Sequence, residues 1–305
     1  MQPGENLICV KSLTTHQKKS IYKLHRERVL TKLARGVYYP TTDYSDHPFR
    51  TRFWLRSLAC GIEGRPLVGR SAGCLLKLPV LFNGNCPVEI MGYGRRDGLV
   101  LRRLPPDDVV VATIFGHEVR ITSPAMTVVD IARWHSAGEA IRVGDEVARE
   151  GRATQADIEL CMRLRGYRSG AERARHALNL INGRAESPRE SDVRVTLWEN
   201  GFRPPKQQVE IVYAHGGFIG RVDFFYPERS IAIEYDGRDK TRGIYVGDPY
   251  RAINKERDRE RRLISEGVIP LRVTNESFVS RIWLTELARV WHLRGAFPAS
   301  QWRSA

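Results

Sequence analysis

The chain has 305 residues and is 42% hydrophobic, enough for two domains with real cores, which excludes an intrinsically disordered protein. Its 49 lysines and arginines outnumber 35 acids, giving a formal net charge of +14 and favouring a polyanionic partner, since each neutralised phosphate releases condensed counterions. Five cysteines, an odd number with no CxxC pair, argue against a disulfide framework or a cysteine-held zinc and for a reducing, cytoplasmic setting. The N-terminus MQPGENLICVKS lacks the apolar stretch of a leader, and no run of roughly 18 apolar residues is present, so no membrane association is expected.

The first 45 residues read as a small basic module. TTHQKKSIYKLHRERVL is polar and helix-compatible, and Leu30, Lys32 and Ala34 followed by Val37 and Tyr39 predict two strands around a turn at Arg35-Gly36. Two helices followed by a hairpin make a winged helix-turn-helix, which sets one helix in the major groove and the wing on the backbone. Lys18, Lys19, Lys23, Arg26, Arg28, Lys32 and Arg35 are its candidate DNA contacts; a solvated helical arm fits the same residues.

Residues 46–183 read as a mixed α/β and helical region. Phe53, Trp54, Leu58, Leu75, Leu76 and Leu78 mark helices over 50–80, and residues 86–121 are rich in β-branched residues. Ser123 followed by Pro124 predicts an N-cap and first helical position, with Asp130 an acid on that helix's surface. Residues 136–183 read as arginine-rich helices that suit a solvated face and a DNA-facing one equally. The polar, turn-rich NGRAESP near 183–188 predicts a connector.

From residue 184 the pattern predicts an αβββαβ order. Ser187 caps a helix with Pro188 at its first position, and Glu190 fits the acid of a capping box. QVEIVYA, GRVDFFYP and SIAIEYDG follow as strands, then a helix over 248–266, the strand VIPLRVT, and a last helix with Ile282, Trp283, Leu287 and Trp291. Asp223 stands in the second strand; Glu234 and Asp236, two residues apart in the third, share a face. A hairpin brings all three acids together, a costly arrangement unless a cation intervenes. Mg²⁺ or Mn²⁺ is one such cation, expected on Asp223, Glu234 and Asp236, able to polarise a phosphoryl oxygen and lower the pKa of a bound water; pairing with arginine, such as Arg221, is the other solution. Lys240 is placed to stabilise developing phosphorane charge or to be a surface lysine. Lys255 and Arg259, on the mixed-charge helix, are candidate phosphate contacts.

The order of elements, together with SPRES, GRVDFFYP, IEYDGRDK and KERDRERRL over residues 186–278, resembles the PD-(D/E)XK nuclease superfamily and, within it, the very-short-patch-repair-like endonucleases. That resemblance implies a restriction-endonuclease-like core in the 184–305 domain, with Asp223 and Glu234 as metal ligands and Glu190 reaching in from the first helix; with Asp236 and Lys240 from the reading of the strands, these are the candidate catalytic residues. The family's lysine two residues after the acid is replaced here by Asp236, which moves that role to Lys240 or Lys255. RGVYYP, LVGRSAGCLLKLP and ITSPAMTVVDIAR, over residues 14–150, resemble the AbiEi-like antitoxins of bacteria, and the joined architecture resembles uncharacterised actinobacterial proteins. The second resemblance implies DNA binding, autoregulation and a partner protein from a defence or toxin–antitoxin system. The expectation is a Mg²⁺-dependent DNA endonuclease in defence or repair. The alternative is a catalytically inactive DNA-binding regulator or antitoxin-like protein; an RNA-directed nuclease is a third reading.

Overall fold

The computed structural model describes residues 3–82, 86–94, 97–104, 109–166, 169–237 and 249–304, with 249–253 described for backbone alone. The fold is mixed α+β, with helices and several small sheets. The chain divides between Gly183 and Arg184 into two compact units. The five cysteines are free. Among the described residues, no helix is long and apolar enough to cross a membrane.

The first unit opens with a 3-10 turn, Pro3–Asn6, the short strand β1 (Ile8–Cys9) and a second 3-10 turn, Val10–Ser12. Helix α1 (Thr15–Arg26) starts at a capping box, in which Thr14 accepts from the Gln17 backbone and the Gln17 side chain accepts from Thr14 N–H. Arg28, at φ 60°, turns the chain straight into β2 (Leu30–Ala34) and β3 (Val37–Pro40). The strands pair in the order β1-β3-β2, and Ile21 and Leu24 of α1 pack on a core of Val10, Leu30 and Tyr38. A winged helix-turn-helix needs two helices before the hairpin, and the described residues hold one. The capping box starts α1 too late, and Arg28 ends it too early, for a second helix to fit.

Helices α2 (Thr41–Asp46), α3 (Phe49–Ile62) and α4 (Gly69–Leu75) follow. Strand β4 (Val88–Met91) runs parallel to β5 (Leu99–Arg102), and β6 (Val109–Ile114) makes a hairpin with β7 (His117–Thr122). Leu67 bridges to both Ile90 and Ile121, joining the two pairs. Four helices complete the unit: α5 (Pro124–Trp134), α6 (Ala137–Arg149), α7 (Gln155–Arg165) and α8 (Ala171–Leu178). Ser123 caps α5 as its sequence predicts, accepting from Met126 N–H. Every residue from Ala125 to Arg133 is buried, so α5 is the central helix of the unit. Gly144 allows α6 to approach closely, since a methyl group there would overlap the Cδ1 of Ile181.

The second unit is one five-stranded sheet with helices on both faces. Its elements are α9 (Pro188–Glu199), β8 (Lys206–Val212), β9 (Phe218–Tyr226), β10 (Ile231–Asp236), α10 (Pro249–Ser265), β11 (Ile269–Thr274), α11 (Asn275–Ser280), α12 (Ile282–Val290) and β12 (Trp302–Ser304). The strand order is β11-β10-β9-β8-β12; β10 and β11 are parallel and the other pairs antiparallel. Strand alternation splits the core between two faces. Phe224, Tyr226, Ile231 and Ile233 meet Val193 and Leu197 of α9 and Trp283 and Leu287 of α12. On the other face Phe225 and Ala232 meet Leu263 of α10. By the same alternation Asp223 and Glu234 lie on the α10 face, just beyond Phe225 and Ala232.

Candidate functional site

The acidic end of β9 and β10 lies where their pairing stops. The ladder runs through Ile231↔Tyr226, Ala232↔Phe225 and Ile233↔Phe224. One residue further, the Asp223 carboxylate accepts from the Tyr235 backbone N–H at 2.8 Å, taking the place of a strand carbonyl. Both oxygens of Glu234 accept from Arg259 of α10, at 2.7 and 2.8 Å. Arg259 also donates to Glu256 one turn earlier. Arg272 of β11 is paired in register with Glu234 and reaches Glu256, Glu260 and Asp236. The like charges predicted on this face are therefore offset by two guanidiniums. The hydrogen bonds from Arg259 hold the Glu256 carboxyl below its ordinary range, and those to Glu234 and Glu256 push Arg259 further up. Burial alone would lower Arg272, but Glu256 and Glu260 carry it upward.

In this arrangement Arg259 occupies the position that a cation between the acids would take. Both Glu234 oxygens are engaged by Arg259, and among the described residues no cluster of three or more histidine, cysteine or carboxylate groups is placed to hold a metal ion. Glu190 serves the start of α9: it accepts from Ser187 Oγ at 2.9 Å, Glu186 N–H at 2.8 Å and Gln208 Nε2 at 3.0 Å. Arg221 pairs with Glu186 rather than with the strand acids. Lys240 lies outside the described residues. Lys255 is exposed on α10, whereas Arg259, expected to face phosphate, turns inward to Glu234 and Glu256.

The N-terminal basic residues are accessible. Lys19, Lys23 and Arg26 of α1, together with Arg28, Lys32 and Arg35, are exposed, and Lys18 is half-buried. Lys23 makes an exposed pair with Glu27 at 3.9 Å, worth little in water. The positive groups of α1 and of the β2–β3 hairpin are therefore free to meet an anionic surface.

The first unit also holds buried ion pairs that the sequence did not reveal. Asp130, expected on a helix surface, is fully buried on α5 and takes Arg165 of α7 on both oxygens, at 3.0 and 3.1 Å. The signal was its setting, Val128-Val129-Asp130-Ile131-Ala132, in which an unpaired acid would be costly; its partner lies 35 residues away. Glu89 is buried among His135 at 3.1 Å, Arg102 at 2.7 Å and the Arg70 backbone N–H at 2.7 Å. Burial alone would raise the Glu89 carboxyl, but His135 and Arg102 hold it below its ordinary value. Gly69, at φ +51°, lets the chain pass so close that an added methyl would sit 2.5 Å from a Glu89 oxygen. Arg70 itself pairs with buried Glu139, which also accepts from Leu81 N–H at 2.9 Å. These ion pairs fasten α4, β4, α5 and α6 together.

The first unit thus combines an exposed basic N-terminal module with a helical region built on internal ion pairs. Residues 67–180 match the family model of the AbiEi antitoxin C-terminal domain. The chain is also similar to two uncharacterized proteins from two strains of Mycobacterium tuberculosis, each 35% identical over an alignment of 132 residues that covers 40% of this chain and 48% of the relative. The matched stretch thus spans about half the length of these curated relatives.

Proposed function

We propose that this protein is an antitoxin-like, DNA-binding regulator that acts with a partner protein of a toxin–antitoxin or defence system. The match of residues 67–180 to the AbiEi antitoxin C-terminal domain carries this reading. The +14 charge and the exposed lysines and arginines of the first 35 residues support the DNA-binding part. A bacterial cytoplasmic setting follows from it. In a gel-shift assay, the full chain is expected to bind a duplex from its own upstream region more tightly than an unrelated duplex of equal length. Equal, negligible binding to both would overturn the reading.

A second reading, a Mg²⁺- or Mn²⁺-dependent endonuclease of the PD-(D/E)XK kind, draws on one observation. Asp223 and Glu234 stand side by side where β9 and β10 part, on the face covered by α10. On this reading Arg259 must release Glu234 before a metal binds. Plasmid incubated with the full chain and Mn²⁺ separates the two: nicking that Glu234→Gln abolishes would favour the nuclease, whereas intact plasmid favours the regulator.

A further inference from the structure

The second unit has an open groove of about 600 Å³ on the side of the sheet away from α10, a size that suits a small ligand. Asn200, Phe202 and Arg203 line it from the segment after α9, Glu228 and Arg229 from the β9–β10 turn, and Trp291 from the end of α12. Trp291 is wedged edge-to-face between Phe202 and Tyr226, with ring centroids 5.0 and 4.9 Å away, which fixes the indole. The Arg229 guanidinium lies over that indole at 5.6 Å. The Tyr226 hydroxyl donates to the Arg203 carbonyl at 2.9 Å and anchors the opposite wall. The groove is therefore a rigid aromatic floor carrying a flat cation.

Its polar groups are incompletely used. Arg229 Nε is buried and has no hydrogen-bond partner among the described residues, which costs free energy. The lining holds two arginines, Arg203 and Arg229, against one acid, Glu228, so its charge balance favours an anion. Guanidinium planes and aromatic rings stack on nucleobases, guanidiniums fork onto phosphate, and a glutamate accepts from an exocyclic amino group.

We infer that this groove binds a nucleotide. Its phosphate lies between Arg203 and Arg229, its base continues the Arg229–Trp291 stack, and a base amino group donates to Glu228. The nucleotide is either a free monophosphate or an unpaired nucleotide of a single strand. The inference does not rest on the antitoxin reading, since all six residues belong to the second unit.

The test is calorimetry of the full chain with dCMP, deoxycytidine, inorganic phosphate and a short oligo-dC. The expected result is that dCMP binds, while deoxycytidine and phosphate each bind at least about tenfold more weakly, because each lacks one half of the contacts. Arg203→Gln and Arg229→Gln should each weaken dCMP about tenfold or more, the loss of one charge-assisted contact. Arg203 is exposed, so its variant tests the site even if replacing Arg229 harms folding. Arg35→Gln, in the other unit, should leave dCMP binding unchanged. If oligo-dC alone binds and the same two arginines weaken it, the source is a single strand and the site stands. No binding of either ligand, phosphate binding as tightly as dCMP, or unchanged affinity in both arginine variants would overturn it.

Discussion

Replacing Arg259 with methionine isolates the ion-pair network that holds α10 on the sheet. Methionine keeps the aliphatic stem and removes two charge-assisted hydrogen bonds to Glu234, at 2.7 and 2.8 Å. Breaking a wholly buried pair from one side costs about 3–5 kcal/mol. Here the side chains of Arg259 and Glu234 keep 21% and 15% of their exposure, so water partly compensates and the cost falls to about 2–4 kcal/mol. The more exposed Glu256 contact adds no more than about 1 kcal/mol. With a urea slope of about 2 kcal/mol per molar, the midpoint should drop by about 1–2 M. Four of the six tryptophans, Trp198, Trp283, Trp291 and Trp302, lie in the second unit, so tryptophan fluorescence reports mainly on its unfolding. Glu234→Met with Arg259→Met should be less destabilised than the sum of the single changes, since neither charge is then stranded. A midpoint shift below about 0.3 M, or strictly additive effects, would show that the arginine is a surface ornament and that the acids are stabilised some other way.

In the first unit, Asp130→Ala strands buried Arg165 and should cost about 3–5 kcal/mol by thermal or urea unfolding, whereas Asp130→Leu combined with Arg165→Met should recover most of the loss. Gly144→Ala should destabilise by about 1–3 kcal/mol through overlap with Ile181, and the penalty should shrink when Ile181→Ala is the background; equal penalties in both backgrounds would remove the close-approach argument. Glu89 is held below its ordinary value of 4.5, so its stabilisation is fully present above that pH and is lost as pH falls through the lower folded value. Melting temperature against pH should therefore fall below that value in the wild type, and Glu89→Gln should be less stable at neutral pH with a flatter acid limb; parallel curves would contradict the assignment.

Local signals were legible wherever the chain speaks to its near neighbours. Ser123-Pro124 and Ser187-Pro188 announce the starts of α5 and α9, and the apolar runs in GRVDFFYP and SIAIEYDG mark β9 and β10. Pairings across long stretches were not legible. Nothing near Asp130 names Arg165, and nothing near Glu234 chooses between a cation and Arg259, because both choices satisfy the same electrostatic demand. The basic module misled for a related reason: TTHQKKSIYKLHRERVL has room for two short helices by composition, but the Thr14–Gln17 cap and the Arg28 turn leave one.

The central claim, that this is a DNA-binding regulator, is tested most directly by duplex DNA binding of the full chain measured by fluorescence anisotropy in EDTA as salt is raised. Binding is expected at low salt without added metal, with log affinity falling linearly against log salt by about 0.9 per phosphate contacted, and with a shallower slope when Lys19, Lys23 and Arg26 are changed to glutamine. Binding that needs a divalent cation, or an affinity indifferent to salt and to those three residues, would contradict it.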